Sequence, residues 1–151
     1  MHKIICITGA STGIGLATAL TFAKNDWIVY AGTRNVERDQ TLYADQSNLN
    51  FVEMDVTQPD TLQRVIDTIE NEHGRLDVLF CNAGFGYLRS LAQAPMEDIH
   101  KVFDTNVYGV MQTIKTALPL MRKTGYGHIV ATSSVGGLVG QPMNEIYCAS
   151  Q

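Results

Sequence analysis

Hydrophobic positions along this chain fall in short runs that alternate with amphipathic stretches. The runs are Lys3–Thr8, Trp27–Gly32, Phe51–Met54, Leu76–Cys81 and His128–Ser133. Each is short and rich in Ile, Val or aromatic residues, as strands buried on both faces are. Between them the period changes. After Pro59, the residues Leu62, Val65, Ile66 and Ile69 recur at i, i+3, i+4 and i+7, which predicts a helix. Thr57 is a candidate N-cap for it and Gly74 a candidate stop. A longer stripe runs through Ile99, Val102, Phe103, Val107, Val110, Met111, Ile114 and Leu118. Pro95 suits the first turn of that helix, and Pro119 is expected to bend it or end it early.

Strand–helix alternation at this spacing predicts an α/β fold, a doubly wound, Rossmann-like parallel sheet with helices on both faces. Five strands are predicted, where the dinucleotide fold usually has six in the order 3-2-1-4-5-6. The fold is therefore expected to stop after its fifth strand, leaving that strand at an uncovered edge. No repeat, linker or low-complexity segment divides the chain, so its 151 residues are expected to form a single domain.

Composition narrows the partners. A formal net charge of -4 disfavours nucleic acid and anionic membrane surfaces. It does not disfavour a phosphate-bearing cofactor, which is held by local backbone N–H groups. Three cysteines, Cys6, Cys81 and Cys148, are an odd count and suggest reduced thiols and a cytoplasmic location. The ligand spacing of a zinc site is missing, so no metal is expected. No apolar run is long enough to span a bilayer, and Ile4–Ile7 is too short for a signal peptide.

The strongest chemical signal follows the first strand. Thr8-Gly9-Ala10-Ser11-Thr12-Gly13-Ile14-Gly15 leads from strand to helix. Gly9 permits a tight turn, Gly13 lets backbone approach a pyrophosphate, and Gly15 lets the helix pack closely. The helix N-terminus then offers free amides and a positive dipole end to phosphates. The spacing is wider than G-x-G-x-x-G, so the match is to a variant.

T-G-x-x-x-G-I-G resembles the signature of the short-chain dehydrogenase/reductase family, and three further motifs agree. Cys81-Asn82-Ala83-Gly84 is similar to the family's N-N-A-G, with Cys81 in place of the first Asn. Asp55-Val56-Thr57 resembles the acidic motif after the third strand, whose carboxylate contacts adenine. Asn106 lies where the family keeps an asparagine that helps hold a water in the proton path. The resemblance implies cofactor contacts from Gly9, Ser11, Thr12, Gly13, Ile14, Gly15, Asp55, Val56, Asn82, Ala83 and Gly84.

The second strand ends in Tyr30-Ala31-Gly32-Thr33-Arg34. An NAD-selective site usually has an acid here for the ribose 2′-OH. A guanidinium instead binds a 2′-phosphate, so Arg34 favours NADP(H) over NAD(H). Glu37 and Asp39 lie close enough in sequence to complicate the field, and Arg34 could also be a solvated loop residue.

Tyr147 follows Ser134 by thirteen positions, the family offset between the tyrosine and the serine that binds the substrate oxygen. The resemblance implies Tyr147 as general acid or base, Ser134 as the substrate-positioning hydroxyl and Asn106 in the proton relay. Ser133 is its neighbour, with a capping or packing role. Cys148 and His128 are expected to be structural, and His2, His73 and His100 have no partner pattern. A free phenol has a pKa of about 10 and is a poor base at neutral pH. In the family a lysine four residues on lowers it. Here that position is Gln151, a neutral amide, and it is also the last residue.

Two explanations stay open. The chain is either a truncated member of an oxidoreductase family, near-inactive as it stands, or a non-catalytic nucleotide-binding module. The stretch Ser134-Val135-Gly136-Gly137-Leu138 with Tyr147-Cys148-Ala149-Ser150 resembles the branch containing 17-beta-hydroxysteroid dehydrogenase type 1 and the retinol dehydrogenases. That resemblance implies a small hydrophobic alcohol or carbonyl substrate. An uncovered strand edge is expected to favour self-association.

Overall fold

The computed structural model describes residues 2–151. Five strands, β1 (Ile4–Ile7), β2 (Ile28–Thr33), β3 (Leu49–Glu53), β4 (Val78–Cys81) and β5 (His128–Ala131), form one sheet in the order β3-β2-β1-β4-β5. Every pairing is parallel; Cys6 sits between Tyr30 and Leu79 in register. Six helices connect or follow them: α1 (Gly13–Lys24), α2 (Val36–Leu42), α3 (Pro59–His73), α4 (Met96–Phe103), α5 (Gly109–Thr124) and α6 (Glu145–Ala149). This is the doubly wound, Rossmann-like parallel sheet that the alternation predicts.

The period-2 geometry of a strand sends successive side chains to opposite faces. In β1, Ile4 and Cys6 join the core under α3 and α5, with Leu62, Ile69, Leu79 and Leu120. Ile5 and Ile7 join the core under α1 and α2, with Ala19, Val29 and Phe51. Each such fully buried aliphatic stabilises by about 1.5–3 kcal/mol. That explains why β1 reads as an unbroken apolar run. Asp77 ties the sheet's other end together: its Oδ2 accepts the Ile4 N–H at 2.8 Å, and it pairs with Arg75.

The chain moves outward from β1 to β3 and then returns to β4 beside β1. That reversal opens a crevice beyond the carboxyl ends of β1 and β4. At the far side, all four residues of β5 are exposed, Val130 by 49%.

Three expectations need correction. Thr57 does not cap α3. Gln58 occupies that position, while Thr57 donates from both its N–H and its hydroxyl to Asp55 Oδ1, at 2.9 and 2.7 Å. A short polar side chain competes here for a turn contact two residues back. The long stripe is not one regular helix. A π-helical turn at Asp104–Tyr108 separates α4 from α5 and carries Asn106. Of the two effects expected of Pro119, the early end does not occur, since α5 runs on to Thr124. The proline faces solvent while Ala117, Leu120 and Met121 are buried, so core packing outweighs its missing N–H. Pro95 stands just before α4 as its N-cap, and Gly74 ends α3 with a φ of 66° as expected.

Candidate functional site

The crevice is a cleft of about 770 Å³. Its walls come from the loops after all five strands, from the π-helical turn and from α6. Of the residues singled out in the sequence, it is lined by Gly9, Ser11, Thr12, Ile14, Arg34, Asp55, Val56, Asn82, Ala83, Gly84, Asn106 and Tyr147. Gly13, Gly15 and Ser134 do not line it.

Close packing explains the glycine loop. Gly9 has a φ of 65°, and a Cβ there would sit 2.8 Å from Ala83 Cα. A Cβ on Gly15 would overlap the Gly9 carbonyl and lie 2.6 Å from Asn82 Nδ2. Gly13 has a φ of 58° with open space beyond its missing side chain. Thr12 makes no side-chain cap, and Leu16 N–H is the first to reach back, to Thr12 O at 3.3 Å. The amides at the start of α1 are thus left for an anion. Ile14, an apolar side chain, is 64% exposed at the cleft. This cradle suits a dinucleotide pyrophosphate.

Asn82 locks three strand ends together. Its amide donates to Gly9 O at 3.0 Å and Thr8 O at 3.3 Å, and its Oδ1 accepts the Thr132 hydroxyl at 3.1 Å. Thr8, only 1% exposed, accepts from the N–H groups of both Asn82 and Ala83 at 3.0 Å. Cys81 is buried beside this lock. Burial raises its thiol pKa to about 11 and that of Cys6 to about 12. Both thiols therefore stay protonated and serve as small packing groups.

The opposite wall starts at Asp55. Its Oδ1 is taken by Thr57, and its N–H donates to Thr61 Oγ1 at 3.0 Å. Val56 packs on the start of α5, where a Cβ on Gly109 would come within 2.6 Å of Val56 Cγ2. Arg34 is exposed at the end of β2, and among the described residues no ion pair engages it. Asp39, by contrast, is turned inward and 1% exposed.

At the reaction end, Asn106 is fully engaged. Its Oδ1 accepts the Phe85 N–H at 3.0 Å; its Nδ2 donates to Phe85 O at 3.0 Å and to Ser150 Oγ at 2.9 Å. Gly84 passes so close that a Cβ there would lie 3.2 Å from Asn106 Oδ1. The half-buried Tyr147 presents its ring to the cleft, and its hydroxyl has no partner among the described residues. Ser134 caps the 3-10 turn Val135–Gly137, accepting the Gly136 N–H at 3.2 Å. That is the capping role the sequence suggested for Ser133. Ser134 nevertheless flanks the tyrosine: a Cβ on Gly136 would lie 3.5 Å from Ser134 Oγ and 3.6 Å from Tyr147 Cε1. Gln151 lines the cleft beyond the end of α6.

Sequence reasoning missed several residues that line the cleft or, like Thr8, brace it from behind. Thr8 and Thr132 stood inside quoted motifs, and their hydroxyls gave no separate signal. Lys101, Asp104 and Thr105 fall at i, i+3 and i+4, a polar helical edge beside the apolar stripe. His73, unpaired in sequence, bonds the Tyr30 hydroxyl at 2.8 Å, far from the cleft in the opposite end of α3. Among the described residues, no cluster could hold a metal ion and no helix is long and apolar enough to cross a membrane.

Comparison with known proteins agrees with this architecture. The family model described as short chain dehydrogenase matches residues 3–151. Human 17-beta-hydroxysteroid dehydrogenase type 1 is 34% identical over 160 residues, covering 99% of this chain and 48% of that protein. The 3-ketodihydrosphingosine reductase of Bacteroides thetaiotaomicron is 36% identical over 149 residues, covering 99% of this chain and 53% of that protein. A solved structure described as "ElxO with NADP Bound" superposes with a TM-score of 0.92 at 36% identity, covering 99% of this chain and 62% of that one. The chain thus spans about half to three fifths of the length of these relatives. With the glycine loop, the strand order and the family match in agreement, the chain belongs to the short-chain dehydrogenase family of oxidoreductases.

Proposed function

We propose that residues 1–151 are one NAD(P)-binding domain of an oxidoreductase that moves hydride between NADP(H) and a small hydrophobic alcohol or carbonyl. The observation that carries the reading is the cradle at Gly9–Gly15, whose tight packing and free amides suit a pyrophosphate. Ser11, Thr12, Gly13 and Ile14 hold the phosphates in this reading. Asp55 and Val56 flank the adenine, while Asn82, Ala83 and Gly84 back the nicotinamide half. Arg34 binds the 2′-phosphate, which selects NADP(H) over NAD(H). The NADP bound by the ElxO structure supports that choice.

When bound, the nicotinamide supplies or accepts the hydride. The chain's own residues handle the proton. Tyr147 donates it to a carbonyl oxygen or takes it from an alcohol, Ser134 orients that oxygen, and Asn106 supports the relay. The unpartnered Tyr147 hydroxyl is consistent with this role. A neutral Gln151 gives the phenol no cationic neighbour from that position, so turnover is near zero in this chain. The hydrophobic substrate class rests on the likeness to the human hydroxysteroid dehydrogenase. A cytoplasmic location fits the free buried thiols.

A second reading, a nucleotide-binding module without catalysis, is favoured by Gln151 itself. Fluorescence titration with NADPH and NADH, followed by a turnover assay with hydrophobic ketones, separates the two. Tight binding with slow turnover supports the oxidoreductase. Tight binding with none at any pH supports the module, and no binding contradicts both. Self-association through the exposed β5 edge belongs to the same proposal. Light scattering that reports a stable monomer contradicts it.

A further inference from the structure

The turn leaving β2 holds a buried charge. Asp39, on α2, is 1% exposed. Its Oδ1 accepts the Arg38 Nε–H at 2.6 Å, and its Oδ2 accepts the Thr33 hydroxyl at 2.5 Å. Thr33 Oγ1 accepts the Asn35 N–H at 3.1 Å, and Asn35 Oδ1 accepts the Arg38 N–H at 3.1 Å. The Asp39 N–H closes the ring on Asn35 O at 3.3 Å. A buried carboxylate is costly unless it is paired and fully bonded, and this one is. The Arg38 bond, with help from the Thr33 hydroxyl, holds its carboxyl below the usual range against the opposing effect of burial.

The ring has a consequence at the cleft. A carboxylate close to the end of the second strand is the group that would accept hydrogen bonds from a ribose and repel a 2′-phosphate. Here that carboxylate faces inward, and Arg38 neutralises it. The Thr33 hydroxyl is spent on it too. The neighbouring charges are also accounted for. Glu53 of β3 pairs with Arg64 at 2.9 Å, Asp55 Oδ1 is held by Thr57, and Glu37 is exposed on α2. Arg34 is left lining the cleft with no ion pair among the described residues.

We propose that Asp39 is a positioning residue for coenzyme choice: by bonding the buried Thr33 hydroxyl and the exposed Arg38 guanidinium, it fixes the turn so that Arg34 faces the cleft and meets a 2′-phosphate. This rests on the NADP(H) reading above and adds the device that enforces it. A purely structural Asp39 would affect both coenzymes alike. A selectivity device affects their ratio.

The test measures dissociation constants of the 151-residue chain for NADPH and NADH by fluorescence titration, for the wild type and for Arg34→Ala, Asp39→Asn and Thr33→Val. Asp39→Asn is expected to weaken NADPH by at least about tenfold while NADH changes by less than about threefold. Thr33→Val removes two bonds of the ring, the one to Asp39 Oδ2 and the one from the Asn35 N–H, and keeps the shape and the Asp39–Arg38 pair. It is expected to shift the ratio the same way by less, and it serves where Asp39→Asn does not fold. An Arg34→Ala ratio that collapses beside an unchanged ratio in Asp39→Asn or Thr33→Val overturns the role of Asp39 alone. An unchanged ratio in Arg34→Ala overturns the NADP(H) reading and this inference with it.

Discussion

The side-chain amide of Asn106 donates to the Ser150 hydroxyl across 2.9 Å, and that hydroxyl donates in turn to the carbonyl of Tyr147 at 2.8 Å. The link joins the π-helical turn to the helix of the proposed acid–base residue, 44 positions apart in sequence. Ser150 is 6% exposed, so water does not replace it readily. Ser150→Ala leaves one Asn106 N–H without that acceptor. The expected loss is about 1–3 kcal/mol of stability, read as a lower urea midpoint with unchanged slope. An unchanged midpoint would mean that the link carries no load.

The glycine loop separates two effects by position. Gly15→Ala forces a Cβ against the Gly9 carbonyl and Asn82 Nδ2, which is expected to cost about 1–3 kcal/mol through overpacking. Gly13→Ala meets open space and bears only the left-handed backbone penalty of about 1–2 kcal/mol. Its larger effect is expected on dinucleotide affinity, because strain at Gly13 disturbs the backbone amides at the start of α1 that the proposal gives to the pyrophosphate. Thermal unfolding and NADPH titration of both variants check the split.

Much of this was legible beforehand. The five apolar runs give all five strands to within two residues at each end, because strands buried on both faces have little freedom in composition. The motif residues lining the cleft were legible because tight backbone approach demands glycine and short polar groups. The π turn around Asn106 was not. Its one-residue shift is set by packing among Val56, Gly109 and the Phe85 backbone, which no periodicity encodes. Pro119 does not end the helix for a similar reason, since local propensity lost to the burial of Leu120 and Met121. The inward turn of Asp39 was also hidden, because a charged residue after a strand reads as solvated until its partners are seen.

Asp39 predicts an acid limb. Its folded pKa lies below the usual carboxylate range, held down mainly by the Arg38 bond. The unfolded state therefore binds the proton first. The stabilisation is fully present above the unfolded pKa, and it is lost as pH falls through the folded one. Stability is expected to decline below about pH 4, and Asp39→Asn is expected to flatten that limb. Urea unfolding of both proteins from pH 5 downward reads the difference.

Gln151 sets an expectation for chemistry. NADPH oxidation with a hydrophobic ketone is expected to be slower in the wild type than in Gln151→Lys, by up to the order of 10²–10⁴-fold assigned to a working acid–base group. Equal rates in the two proteins would show that charge at this position does not limit the reaction.

The most direct measurement follows backbone amide resonances of the isotope-labelled chain during titration with NADPH. Saturable shifts concentrated at Gly13, Ile14 and Gly15, with smaller ones at Asp55, Val56 and Asn82, are the expected result. Shifts that leave the start of α1 untouched and gather elsewhere, such as the groove between Met121 and Ile129, would contradict the account.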